Sequence, residues 1–284
     1  MGRTTLGTAV AHAPLVVKVA GDSAYERSLR RGWYAGTLAD FQHARLGAPA
    51  AALRRWRTLA ATRPAHLVCP SAFLREIVLS WGAASDRVSV VPNAAPPLPE
   101  LPTREEARAH FGVNGAALAF AGRLTRAKAL DVAFDAVAQV EEVTLLVAGD
   151  GEERARLAAR APANVRLLGS LDRSRVLELF RAADAALLSS AWENFPHALV
   201  EALAVGIPVL ATRVGGIPEI VDDHENGLLV PAGDADALAA AIKRFFEDDD
   251  LRMRLAAAAA PSVARFAPER IVDQLEAILQ KAAG

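Results

Sequence analysis

The chain has 284 residues, 52% hydrophobic and 23% charged, a balance that buries a sizeable core and suggests about two domains. Its single cysteine, Cys69, excludes an intrachain disulfide and a cysteine-rich metal site and points to a reducing compartment, the cytoplasm. The net charge of −1 hides an asymmetry, since residues 1–92 carry twelve basic side chains against five acidic ones. A basic front half suits an anionic membrane surface, a phosphate-bearing acceptor, or plain solvation. No nucleic-acid motif accompanies it, so nucleic acid is not an expected partner. No run approaches the roughly 20 apolar residues of a membrane span. The first residues make a poor signal peptide, because their weak apolar stretch is broken by His12 and Pro14.

In chain order, "PLVVKVAGD" (14–22) reads as a strand, "HLVCP" (66–70) as another, "SAFLREIVLSWG" (71–82) as a helix capped by Ser71, and "RVSVVPN" (87–93) as a third strand. "AAPPLPELP" (94–102) reads as a stiff interdomain linker, since its prolines stay out of sheets. From there strands and helices alternate. Strands are expected at 117–122, 143–151, 164–169, 184–190 and 207–212, and again at the start of "GLLVPAGDADALAAAIKRFF". Helices are expected at 129–140, in "EERARLAARA", "RSRVLELFRAA" and "PHALVEALAVG", and at the end of that last segment. This pattern predicts a parallel sheet wrapped by helices, one complete doubly wound domain from about 97 to 262. "APERIVDQLEAILQKA" closes the chain as a helix with Ile271, Leu275, Ile278 and Leu279 on one face.

Ligands of open α/β sheets bind outside the carboxyl ends of the strands, and three clusters sit there. In "FAGRLTRAK", Arg123 and Lys128 follow a strand; two such cations suit a diphosphate, although either could simply pair with a surface carboxylate. "AGDGEE" (148–153), with Gly149, is a tight turn that any such fold contains. "SSAWENFPHALVEALAVGIPVLATRVGGIPE" places Glu193 and Asn194 at a helix start, where free N–H groups favour an anion, and Glu201 in the second turn. A carboxylate can hold a pair of sugar hydroxyls. The plainer readings are a helix-capping role for Glu193 and a surface position for Glu201; the apolar neighbours of Glu201 speak against the second.

"GRLTRAK", "LLVAGDGEE", "VRLLGSL", "ADAALLSSAWENFPHALVEALAVGIPVLATRVGGIPEIV" and "NGLLVPAGD" occur in the order and spacing of the group 1 retaining glycosyltransferases, glycosyltransferase family 4 type. The chain resembles them closely over about 117–245 and more loosely over 14–93. The resemblance implies the GT-B fold: α/β, with two Rossmann-like domains of parallel sheet facing each other across a cleft. The boundaries would be a partial acceptor-side domain at 1–93, a linker at 94–102, a nucleotide-sugar-binding domain at 103–265 and a helix at 266–284 crossing back to the first domain. It also implies transfer of a sugar from a nucleotide-sugar to a hydroxyl of a glycan or lipid-linked acceptor; the charge of the basic front half adds the expectation of peripheral contact at the inner face of the membrane.

By position, Arg123 and Lys128 would bind the donor diphosphate. Glu193 would contact the donor sugar, beside Asn194, Phe195, Pro196, His197, Ala198 and Leu199, with N–H groups from Phe195 and His197. Glu201 would bind ribose, and the loop at Ser170 and Leu171 would cover the base. No cofactor and no metal are implied, because the cations and the helix N-terminus do that electrostatic work. Three departures stand out. Ala20 occupies a place where relatives often carry histidine, which leaves Asp22 and Glu26 as acceptor-side candidates. Pro196 replaces a frequent glycine and has no N–H to offer. Strands that precede "PLVVKV" in relatives have no counterpart, so a shortened first domain with an incomplete acceptor site is expected. Two alternatives follow: a donor-binding module without turnover, or another GT-B enzyme such as an epimerase or sugar-phosphate synthase.

Overall fold

The computed structural model describes residues 14–283; the signal-peptide reading falls largely outside them. The chain divides into two compact units, one running to Ala94 and taking in the C-terminal helix, the other Ala95–Ala267.

The first unit contains β1 (Val16–Lys18), α1 (Ser23–Arg30), α2 (Leu38–His43), α3 (Ala48–Ala61), β2 (His66–Cys69), α4 (Ala72–Leu79) and β3 (Val88–Val90). Its described strands form a parallel sheet in the order β1-β2-β3. β1 is shorter than the expected strand, because Asp22 leaves the sheet to cap α1, accepting from the N–H groups of Ala24 and Tyr25. Ser71 caps α4 as the sequence suggests. Three helices fill residues 23–61, which have no reading in the sequence. They are held by a buried ion pair between Asp22 and Arg57 at 2.8 Å, with the guanidinium 4.2 Å from the centre of the Trp81 ring. Burial pulls Arg57 down to about 10.

The second unit comprises α5 (Arg104–Phe111), β4 (Ala116–Ala121), α6 (Leu130–Val137), β5 (Val143–Ala148), α7 (Arg154–Arg160), β6 (Val165–Gly169), α8 (Arg173–Ala182), β7 (Ala185–Leu188), α9 (His197–Val205), β8 (Val209–Thr212), β9 (Gly227–Val230), α10 (Ala235–Glu247) and α11 (Asp249–Ser262). All six strands are parallel, in the order β6-β5-β4-β7-β8-β9. Their near-continuous burial is what helices on both faces require of apolar runs. The strand order reverses between β4 and β7, and the crevice at such a reversal is where doubly wound sheets bind ligands.

The last helix, α12 (Pro268–Ala283), belongs to the first unit, where Ile271 packs with Val68 and Val91 and is flanked by Leu275 and Ile278. The segment expected as a stiff interdomain linker is anchored within the second unit from Ala95 onward. Ala95 donates to the Phe266 carbonyl at 2.7 Å, and the Pro97 carbonyl accepts from Arg173 at 3.1 Å.

Candidate functional site

The reversal point gathers the loop after β4 and the loop after β7. After β4 the backbone turns through a short helical turn, Arg126–Lys128, and the left-handed residue Ala129. Ser189, just past the end of β7, donates to the carbonyls of Lys128 and Ala129 at 3.1 Å each, and the Ala191 N–H reaches the Ala127 carbonyl at 2.8 Å. These bonds lash the two loops together. Across them the Lys128 ammonium meets Glu193 Oε1 at 2.5 Å, and the Ser190 hydroxyl donates to the same oxygen at 2.7 Å. Ser190 is in turn fixed from behind, where its carbonyl accepts from the Thr212 hydroxyl at 2.6 Å. Glu193 is buried, and its carboxylate stays in this low-dielectric setting because it is both paired and hydrogen-bonded.

Two glycines let the backbone close around this pair. Gly215 has φ +54°, and a Cβ there would sit 1.7 Å from the Glu193 carbonyl oxygen. Gly149 has φ +147°, and a Cβ there would sit 1.8 Å from the Gly122 carbonyl oxygen, just ahead of Arg123. The "AGDGEE" turn is tied to the loop after β4: Leu124 donates to the Asp150 carbonyl at 2.8 Å and accepts from the Glu153 N–H at 3.1 Å, while the Glu153 carboxylate pairs with Arg126 and Arg156.

The Arg123 side chain is exposed, and no described residue pairs with it. The sequence places Glu193 and Asn194 at the entrance to the helix of "PHALVEALAVG"; α9 begins at His197, with Pro196 in the capping position and no side-chain cap. Proline there imposes the extended entry to the helix, so Glu193 and Asn194 lie in the preceding loop. Phe195 is buried, its ring 5.3 Å from that of Phe266, which pins the loop. The first amides of α9, those of His197 and Ala198, have no intrahelical acceptor. Pro196 has no N–H, and the Leu199 N–H goes to the Pro196 carbonyl at 3.2 Å. Glu201 lies one turn further along α9, with Arg173 Nε donating to its Oε1 at 3.1 Å. Ser170 is exposed and Leu171 half-buried between β6 and α8.

The first unit departs from expectation at Asp22. Rather than facing an acceptor, its Oδ1 caps α1 and its Oδ2 accepts from Arg57 at 2.8 Å and Gln42 at 3.2 Å. A carboxylate so fully engaged and buried is structural. Glu26 is exposed on the first turn of α1. Sequence reasoning passed over Ser190, Thr212, Arg173 and Gly215. The serine pair directly between an apolar strand and Glu193 is the one signal that could have drawn attention to two of the fixing contacts.

A doubly wound parallel sheet with a cation and a carboxylate at its reversal point defines the class of this unit, an open α/β fold with its crevice at the carboxyl ends of the strands. The family model described as glycosyl transferases group 1 matches residues 103–261, and the chain belongs to that family. Its relatives include a D-inositol 3-phosphate glycosyltransferase of Xylanimonas cellulosilytica, 34% identical over 67% of this chain and 50% of its own length. Another is the lipopolysaccharide core biosynthesis glycosyltransferase LpsE of Rhizobium meliloti, 36% identical over 54% of this chain and 46% of its own length. The chain thus spans about half the length of the curated relatives it matches. Among solved structures, HepE of Anabaena in complex with UDP and glucose has TM-score 0.77 at 23% identity, covering 98% of this chain and 74% of its own. Sucrose-phosphate synthase of Thermosynechococcus elongatus has TM-score 0.77 at 22% identity, covering 98% and 76%. These likenesses show the GT-B fold class expected from the sequence.

Proposed function

We propose that the chain carries the donor site of a retaining glycosyltransferase, which moves a sugar from a nucleotide-sugar to an acceptor hydroxyl without a bound metal. The observation that supports this best is the convergence of Lys128, Glu193 and the uncapped start of α9 at the sheet's reversal point, with Arg123 unpaired beside them. Arg123, Lys128 and the helix amides would hold the diphosphate and stabilise the charge that develops on it as the glycosidic bond breaks. Lys128 reaches the phosphate by sharing its charge with, or turning from, Glu193. Glu193 would orient donor-sugar hydroxyls through the oxygen that Lys128 and Ser190 leave open. Glu201 would hold ribose, with Ser170 and Leu171 over the base. The acceptor hydroxyl would attack from the face the diphosphate leaves, giving its proton to the departing phosphate oxygen, so no protein nucleophile is assigned. Two cations and a helix terminus supply the positive field a metal would otherwise provide.

The relatives' names favour a polyol, glycan or lipid-borne acceptor. The work would be done in the cytoplasm or at the inner face of the membrane; among the described residues no helix is long and apolar enough to cross one. The test is a panel of UDP-, GDP- and ADP-sugars, followed for nucleotide release with polyol and glycolipid acceptors and by NMR of the product anomer. One donor consumed with its anomeric configuration kept, in the presence of a chelator, is the expected result. An inverted product, or loss of activity on chelation, overturns the reading. The sheet that the first unit's described residues form has three strands, which favours one second reading, a unit that holds donor without turnover. Nucleotide binding with no release in any pairing would select it.

A further inference from the structure

We propose that Arg173 is a positioning residue for ribose recognition, an inference that rests on the donor-site reading and adds to it a residue no motif assigns. Arg173 is the first residue of α8, whose start is fixed by Asp172 accepting from the Arg175 N–H at 2.9 Å. Its guanidinium has two partners on different segments. Nε donates to Glu201 Oε1 at 3.1 Å, and Nη2 donates to the Pro97 carbonyl at 3.1 Å. A single contact would leave a long, half-exposed arginine free to change rotamer. Two contacts, one from Nε and one from Nη2, hold both its position and its plane. The Pro97 carbonyl lies in a segment where Pro96, Pro97 and Pro99 have no N–H to offer, so it takes its donor from a side chain.

The consequence falls on Glu201. With Oε1 held by Arg173, rotation of the carboxylate about its terminal bond is restrained, and no described residue donates to Oε2. The side chain is 15% exposed, enough for a ligand hydroxyl to reach the open oxygen. Arg173 therefore presents one carboxylate oxygen in a fixed direction, and it does so two residues after Leu171 in the loop expected over the base. A half-exposed ion pair contributes little to stability, so geometry is the role left for this contact. The same Arg173 balances the charge of Glu201, so a ribose hydroxyl meets a paired carboxylate rather than a bare one.

The experiment is calorimetric titration of the full chain with UDP, GDP and ADP beside their deoxyribose counterparts, using wild type, Arg173→Ala and Arg173→Lys. A hydroxyl donating to a carboxylate is a charge-assisted bond, so wild type should prefer the ribose form by about tenfold or more. Arg173→Ala should weaken binding of the ribose form by several-fold and reduce the ribose preference to about twofold, with little change in melting temperature. Arg173→Lys keeps the charge but has no fork to serve both partners, and its preference should fall as well. A folded Arg173→Ala protein that keeps the wild-type ribose preference overturns this inference and leaves the donor site standing. So does a wild type that binds ribose and deoxyribose forms equally. Wild type binding none of the three nucleotides overturns the donor-site reading and this inference with it.

Discussion

Gly215→Ala should damage the site far more than its size suggests. At φ +54° an alanine costs about 1–2 kcal/mol more than glycine. The added Cβ would also sit 1.7 Å from the Glu193 carbonyl oxygen and 2.9 Å from its carbonyl carbon, both backbone atoms that cannot swing aside. Ordinary carbon contacts lie near 3.5 Å, so the turn or Glu193 must shift by roughly 1.5–2 Å. That shift exceeds the slack in the contacts of Glu193 with Lys128 at 2.5 Å and Ser190 at 2.7 Å. Losing one charge-assisted bond of this kind costs about 1.5–3 kcal/mol, which brings the total to roughly 3–5 kcal/mol. At about 2–4 °C per kcal/mol the melting temperature should fall by on the order of 10 °C. A misplacement of about 1 Å can cost a hundredfold in turnover, so activity should fall at least that far. Gly206→Ala is the control. Gly206 also has positive φ, at +92°, but a Cβ there meets nothing within 4 Å. It should lose about 1–2 kcal/mol of stability and keep wild-type nucleotide affinity. Differential scanning calorimetry and nucleotide titration on both variants decide the matter. If Gly215→Ala binds nucleotide and turns over like Gly206→Ala, then the backbone around Glu193 does not control the site.

Arg123→Ala should leave the melting temperature within experimental scatter, because the side chain is exposed and unpaired, yet weaken nucleoside diphosphate binding by about tenfold. Lys128→Ala removes the main partner of a buried carboxylate, and urea unfolding should show a loss of roughly 3 kcal/mol beside weaker nucleotide binding. Arg57→Ala should cost about 3–5 kcal/mol through its buried partner Asp22, while nucleotide affinity of the folded fraction stays at the wild-type value. The Cys69 thiol is fully buried and pushed up to about 12, so the folded protein should resist iodoacetamide near pH 8 and take up one equivalent on denaturation. With its folded pKa raised, this thiol favours folding below the unfolded value of about 8.5, and that contribution fades as pH rises toward 12.

The second unit was legible because parallel strands buried on both faces must be apolar throughout. "ALAFAG" and "VTLLVAG" therefore announce β4 and β5 with little ambiguity. The expected cations and carboxylates follow from the rule that sites lie at strand ends, and the structure brings Lys128 to Glu193 there. What escaped was long-range. Residues 23–61 have no single apolar period, and their three helices are organised by Arg57 reaching Asp22, a contact across 35 residues that local pattern does not encode. The same pairing misled the acceptor-side reading of Asp22, since an acidic residue after a strand looks alike whether it caps a helix or meets a ligand. α11 was missed because its alanine run has no marked face. Helix α9 was legible in "PHALVEALAVG", since Pro196 stands at its entrance and Gly206 closes it in the left-handed region. Ser190 and Arg173 act only through carboxylates that the fold brings beside them.

A working donor site built from the second unit is tested most directly by calorimetric binding of UDP, GDP and ADP to the chain and to its Arg123→Ala and Glu201→Ala variants. One nucleotide should bind, and both substitutions should weaken it by about tenfold or more. A well-folded chain that binds none of the three, or binds one equally well with and without Arg123 and Glu201, would contradict it.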